Sequence, residues 1–317
     1  MYPSLNNRTS TLLFMCLIQL PIYSQSSAVI TGVEYGIPNG ITAAPLQVLT
    51  LTLRGVKLPT ARVAAQTLPL PRSLEGFSVS LRQTYLGLQG IDVPILAVEP
   101  VRNACSILSA AVRCGSYTAL TVQVPGELVP NIPIALGIPP NVADFIVSVD
   151  GTESEPIRLN PVPDAVHILN ACDLVISGPR GSCNPLIAHA DGRPVTAQNP
   201  VISGEVVTMY AVGLGTTNPP VQTGAAAAQP ISMGPLGLVR IEIEQRPPTN
   251  SEPLVDVRES TAIYAGLVQG YVGLYQINFR IPPIPPSTPS CDAARFSNLL
   301  VRYKLSSESS VGICARP

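Results

Sequence analysis

Tryptophan is absent from the 317 residues, and histidine occurs only twice, as His167 and His189. The first absence removes the largest flat platform on which a sugar ring could stack, leaving tyrosine for that role. The second restricts catalytic chemistry. A serine triad needs a base beside a nucleophile and an acid to orient it. The chain has no G-x-S-x-G, and neither histidine stands near a serine in a recognisable turn. CxxC spacing is missing too, so no zinc cluster is expected. Both histidines are read as structural or surface groups.

Charge is scarce. Charged residues make up 12% of the chain, about half of the roughly 25% usual in soluble proteins. With a net charge of −1, there is no electrostatic footprint for nucleic acid or an anionic membrane. Long helical patterns are also lacking, and 34 prolines explain why, since an interior proline costs a helix about 3 kcal/mol. Many prolines suit short strands joined by turns.

Alternation is what the chain has instead. In Gly270–Pro282, GYVGLYQINFRIP, residues Tyr271, Tyr275, Ile277, Phe279 and Ile281 recur at period two. The opposite face begins with Val272 and Leu274 and turns polar at Gln276, Asn278 and Arg280. This predicts a strand buried on one side and emerging into water on the other. A weaker copy ends at Pro125, where Leu120, Val122 and Val124 alternate with Thr121 and Gln123.

The two halves repeat. Gly55 and Gly213 close similar strands 158 positions apart, Gly76 and Gly237 precede others at 161, and Pro125 and Pro282 end others at 157. Phe145–Val149 matches Leu299–Tyr303 at 154. Asn160–Asp164, NPVPD, interrupts the alternation between them and predicts the boundary. The expected architecture is all-β: two tandem immunoglobulin-like β-sandwich domains, 29–160 and 161–317.

Residues 1–28 read as an export signal. Arg8 is its only charge, an apolar run follows, Pro21 ends the run, and Ser24, Ser26 and Ala28 offer a cleavage site. The run is shorter than the roughly 18 residues a membrane span needs. Its removal leaves a mature chain with no expected membrane span and six cysteines: Cys105, Cys114, Cys172, Cys183, Cys291 and Cys314. Six cysteines permit 15 connectivities. Pairing of neighbours in sequence, 9, 11 and 23 positions apart, is expected because each pair brackets a plausible hairpin or loop.

Other chemistry is weak. Gly213-Leu214-Gly215 lacks the lysine and helix start of a phosphate loop and reads as a turn closing a strand. Carboxylate pairs exist at Asp150 with Glu153 and Glu155, and at Glu242 with Glu244. The first group sits on a hairpin tip and the second on a strand side expected to face water. Neither predicts glycoside hydrolysis. No D-x-D-x-D pattern supports calcium. Among the tyrosines, Tyr85 and Tyr264 lie nearest loops and are the candidates for a contact surface.

Two segments carry a resemblance: GEVVTMYAVGLGTTNPPVQTG (Gly204–Gly224) and IYAGLVQGYVGLYQINFRIP (Ile263–Pro282). They resemble the uncharacterised C-terminal immunoglobulin-like domain family of secreted acidobacterial proteins, most closely over residues 191–282. The resemblance implies export, the sandwich fold and a diverged sister domain upstream. It implies no catalytic role, and the Cys291–Cys314 segment is not one of the family's features. The expectation is an exported, non-catalytic binding or structural module outside the cell or on its surface. Its partner would be an envelope glycan or an unknown protein, without a cofactor. The alternative is a polysaccharide-acting envelope enzyme or its accessory domain.

Overall fold

The computed structural model describes residues 29–34, 41–83, 88–107, 112–131, 142–173, 183–234, 239–245, 255–291 and 297–317. The export segment and Tyr85 lie outside them. Among the described residues the regular structure is strand throughout, as the proline content requires.

In the first half one sheet runs, in spatial order, Val29–Glu34, Val48–Arg54, Val112–Gln123, Ile95–Ile107, Val63–Ala64. The other runs Ile41–Ala43, Ile157–Pro161, Ala143–Val149, Phe77–Gln83, Ser73–Leu74, with Leu88–Asp92 also on Phe77–Gln83. This is the immunoglobulin-like strand order. The second half repeats it: His167–Ile168, Val206–Val212, Tyr275–Arg280, Val255–Leu267, Arg240–Gln245, Leu299–Lys304, Glu308–Ile313. Two further strands, Glu308–Ile313 and Ala315–Arg316, follow the Leu299–Lys304 strand.

Three details of the repeat are shared. A short strand pairs in parallel with the end of each half, Ile41 with Leu159 and Val201 with Ala315. A bulge falls at the same register: Leu96 is the extra residue between Ile95 and Ala97, and Ile263 the extra residue between Ala262 and Tyr264. One long strand, Val255–Leu267, pairs first with Arg240–Gln245 and then with Tyr275–Arg280, joining the two sheets of the second half. In the first half that strand is cut into Leu88–Asp92 and Ile95–Ile107. Pro94 stands in the gap, where it has no N–H to offer a ladder.

Period-two burial builds two cores. One gathers buried residues between Ala43 and Leu159, around Phe77 and Phe145; the other gathers residues between Val166 and Ala315, around Tyr275, Phe279 and Tyr303. The Asp150-Gly151 turn forms as expected, with φ of 49° and 85° closing the Val149–Thr152 pair. Tyr271 does not share the buried face of Tyr275, and this corrects the sequence expectation. Tyr271 is 58% exposed and Tyr275 is 0% exposed. Positive φ at Gly270 and Gly273 turns the chain there, so the strand begins only at Tyr275.

The halves meet along a seam of hydrogen bonds, each donated by a backbone N–H. Gly126 N donates to Thr223 Oγ1 at 2.9 Å, Gly224 N to Gln123 Oε1 at 2.7 Å, and Leu70 N to Gly224 O at 2.8 Å.

The second core carries a pH dependence. Burial pushes the Tyr275 hydroxyl well above the usual phenol range, and Tyr303 beside it adds to the shift. Tyr303 is raised likewise, by burial first and then by Asp164. The folded state therefore favours the neutral phenols. Their contribution is intact below about pH 10, the unfolded pKa, and is lost as pH rises through the higher folded values. We expect alkaline unfolding that starts above pH 10. In a phenolate absorbance titration, Tyr275 and Tyr303 should ionise only with the loss of circular dichroism.

Candidate functional site

Two of the three expected cystine pairs are bonded in the structure, Cys172–Cys183 and Cys291–Cys314. Cys105 and Cys114 are direct partners across the Ile95–Ile107 and Val112–Gln123 ladder; their side chains lie outside the described ones. The Cys291–Cys314 bond holds the C-terminal strand that receives Val201 N on the Cys314 carbonyl at 2.9 Å. Opening a 23-residue loop by Cys291→Ser should lower stability by about 3 kcal/mol, read as a fall in the urea midpoint.

The histidines tie neighbouring segments together. His167 Nε2 meets Asp173 Oδ2 at 2.8 Å. His189 is buried, with Nδ1 on Glu205 Oε1 and Nε2 on the Asn199 carbonyl at 3.1 Å. The carboxylates are similarly engaged. Asp150 pairs with Lys57 at 2.8 Å and Glu153 with Arg82 at 4.0 Å. Glu242 and Glu244 do not face open water as expected, because the next strand supplies cations. Lys304 lies 2.7 Å from Glu242, Arg302 lies 2.9 Å from Glu244, and the two carboxylate side chains are 15% and 7% exposed. Arg302 also reaches Glu308, whose carboxyl is held below the usual range chiefly by that hydrogen bond. These groups cross-link strands. Among the described residues no set of three or more His, Cys, Asp or Glu is placed to hold a metal ion, and no helix is long and apolar enough to cross a membrane.

Tyr264 is half-buried, and its ring leads to a surface worth building up. It follows the bulge at Ile263, which returns it to the outer face opposite Asn278. Gly266 is the next outward position on that strand. A Cβ there would stand 2.2 Å from the Ile231 carbonyl oxygen and 2.7 Å from Tyr264 Oη, so the hydroxyl end of the ring and the Ile231 backbone both close over a residue without a side chain. The hydroxyl donates to Leu267 O at 3.0 Å and fixes the ring flat on the sheet. Its pKa is raised by the same burial.

Two neighbouring strands extend the face. Register places Thr208 beside Asn278 and Tyr210 beside Gln276, with Val207, Met209, Ile277 and Phe279 buried beneath. The result is a largely polar face, with the bulged Ile263 51% exposed at its side. Tyr264 stands on one flank, Tyr210 on the other, and two amides between them. Cα positions of the two tyrosines lie about 12 Å apart, from two strand spacings and two residue rises. The only charged side chain in this register is Arg280, which donates to Gly204 O at 2.6 Å. Sequence reasoning found Tyr264 and the polar side of the Tyr275–Arg280 strand. It missed Tyr210, because nothing in GEVVTMYAVGLG shows which strand will lie beside Gln276.

No family model matches the chain, and no curated protein does. Among solved structures, the C-terminal domain of the Streptococcus agalactiae AgI/II polypeptide BspA aligns over 92% of this chain and 99% of its own, at 10% identity and a TM-score of 0.18. A score that low carries no inference about the fold. The immunoglobulin-like sandwich class therefore rests on the strand order itself.

Proposed function

We propose that the chain is an exported, non-catalytic binding or structural module of the cell surface or extracellular space. Its partner in this reading is an envelope glycan or a protein. The observation that carries the proposal is the outer face of Thr208, Tyr210, Tyr264, Gln276 and Asn278. This face is rigid because it stands on sheet rather than loop, while the ionisable groups described above are used to join strands. Disulfides agree with an oxidising compartment. The export signal at 1–28, the division into units 29–160 and 161–317, and membership of the acidobacterial domain family belong to the same reading.

The test is sedimentation of the purified mature chain with isolated acidobacterial envelope. Co-sedimentation that saturates and survives moderate salt is the expected result. A chain that stays in the supernatant at every envelope concentration refutes the proposal.

A further inference from the structure

We infer that the outer face of the Val206–Val212, Tyr275–Arg280 and Val255–Leu267 strands binds a neutral polyhydroxylated chain, a polysaccharide without acidic sugars, with Asn278 as the central acceptor. The inference rests on the binding role proposed above and names its site and ligand class.

Asn278 supplies the first argument. Its Oδ1 is closed to water and has no hydrogen-bond partner, although the side chain as a whole is only partly buried. A buried acceptor left unpaired is destabilising and calls for a reason. The last torsion of an asparagine is broad and roughly two-fold, so the carbonyl can swing to the surface and accept a hydroxyl. A sugar supplies such donors in rows.

The second argument is the comparison between the halves. The register that carries Thr208, Asn278 and Tyr264 in the second half carries Thr50, Thr121 and Ala97 in the first. There the two threonine hydroxyls satisfy each other at 3.0 Å, and alanine offers no ring. The same fold can thus close this face with its own hydrogen bonds. The second half instead has an unpaired amide between two tyrosines.

The third argument is the chemistry of the flanks. Tyr264 is held flat by Leu267 O and by the space over Gly266, which presents a ring face at little entropic cost. Aromatic faces with adjacent amides match the apolar faces and equatorial hydroxyls of pyranose rings. Cationic charge on the face is limited to Arg280 at the end of the register, one N–H of which donates to Gly204 O, so the central positions Thr208, Tyr210, Gln276 and Asn278 offer acidic sugars no charge to pair with.

Affinity electrophoresis through gels containing laminarin, galactomannan, mannan or arabinoxylan tests this, with polygalacturonate as the acidic counterpart. The full mature chain should be retarded by at least one neutral polymer and not by polygalacturonate. Asn278→Ala and Tyr264→Ala should each weaken that retardation at least tenfold. Thr50→Ala, on the equivalent face of the first half, should leave it unchanged. Circular dichroism melts confirm that each variant is folded; if Tyr264→Ala is not, Tyr210→Ser carries the same expectation. Undiminished retardation of a folded Asn278→Ala chain overturns the site while leaving a binding role intact. Retardation by polygalacturonate alone overturns the ligand class. Envelope co-sedimentation without retardation by any neutral polymer overturns this inference and leaves the proposed function standing.

Discussion

Replacing Gly213 by alanine should lower the stability of the folded chain by about 3 kcal/mol, from left-handed strain, a backbone clash and a lost hydrogen bond together. Gly213 sits at φ 79°. A Cβ there would stand 2.2 Å from the Ala165 carbonyl oxygen and 2.9 Å from its carbon. Both are backbone atoms and cannot rotate away. The same glycine accepts Ala165 N at 2.8 Å, so the clash and the hydrogen bond cannot be relieved together. Two residues on, Gly215 accepts the Tyr275 hydroxyl and would itself place a Cβ 2.3 Å from Pro163 O. This turn therefore clamps the NPVPD connection against the core strand. A fall in melting temperature of roughly 10 °C is expected, and scanning calorimetry will measure it. A shift of less than 3 °C would mean that the turn yields and the clamp is not rigid.

That turn was legible in the sequence. Two glycines after seven alternating residues end a strand, and no lysine or helix start followed to make a phosphate loop. Strand identity and the two cores were legible for the same reason, because period-two burial is written residue by residue. Position across strands was not. Glu242 and Glu244 look solvated in a one-dimensional pattern; they pair with Lys304 and Arg302, some 60 residues away in the chain, because the Arg240–Gln245 and Leu299–Lys304 strands are neighbours. Tyr271 carries the right residue type at the right spacing for burial, yet the chain turns at Gly270 and Gly273 before the ladder starts. The candidate face shares this limit. Tyr264 was visible as a residue, but its alignment with Asn278 depends on the bulge at Ile263, and a bulge leaves no reliable trace in alternation. Without it, Tyr264 would point into the core and Ile263, already 51% exposed, would stand outside alone.

Gly273 decides how the two cores sit together, and Gly273→Ala should loosen the seam without dissolving either one. A Cβ at Gly273 would meet Val48 Cγ2 at 2.6 Å and Leu46 O at 2.8 Å, both in the first half. Its φ of 62° adds strain of its own. Gly270, in the same turn, separates these two effects. It also has positive φ, 81°, but a Cβ there meets nothing within 4 Å. Gly270→Ala should thus cost only the left-handed strain, about 1 kcal/mol, and leave a single cooperative transition. Gly273→Ala should cost about 3 kcal/mol, since strain is joined by a contact that must open. The opening would also weaken the bonds from Gly126 N to Thr223 Oγ1 and from Gly224 N to Gln123 Oε1. Calorimetry should resolve two transitions, far-UV circular dichroism should stay as in the parent chain, and cleavage should appear within 160–164. The same contacts set the expectation for a chain beginning near Pro163. It should fold around Tyr275, Phe279 and Tyr303, yet be less stable than in the parent, because the 222–224 and 270–274 turns then face water instead of Val48 and Gln123. If Gly270→Ala and Gly273→Ala behave alike, the seam contributes nothing and the cores are joined by the NPVPD connection alone.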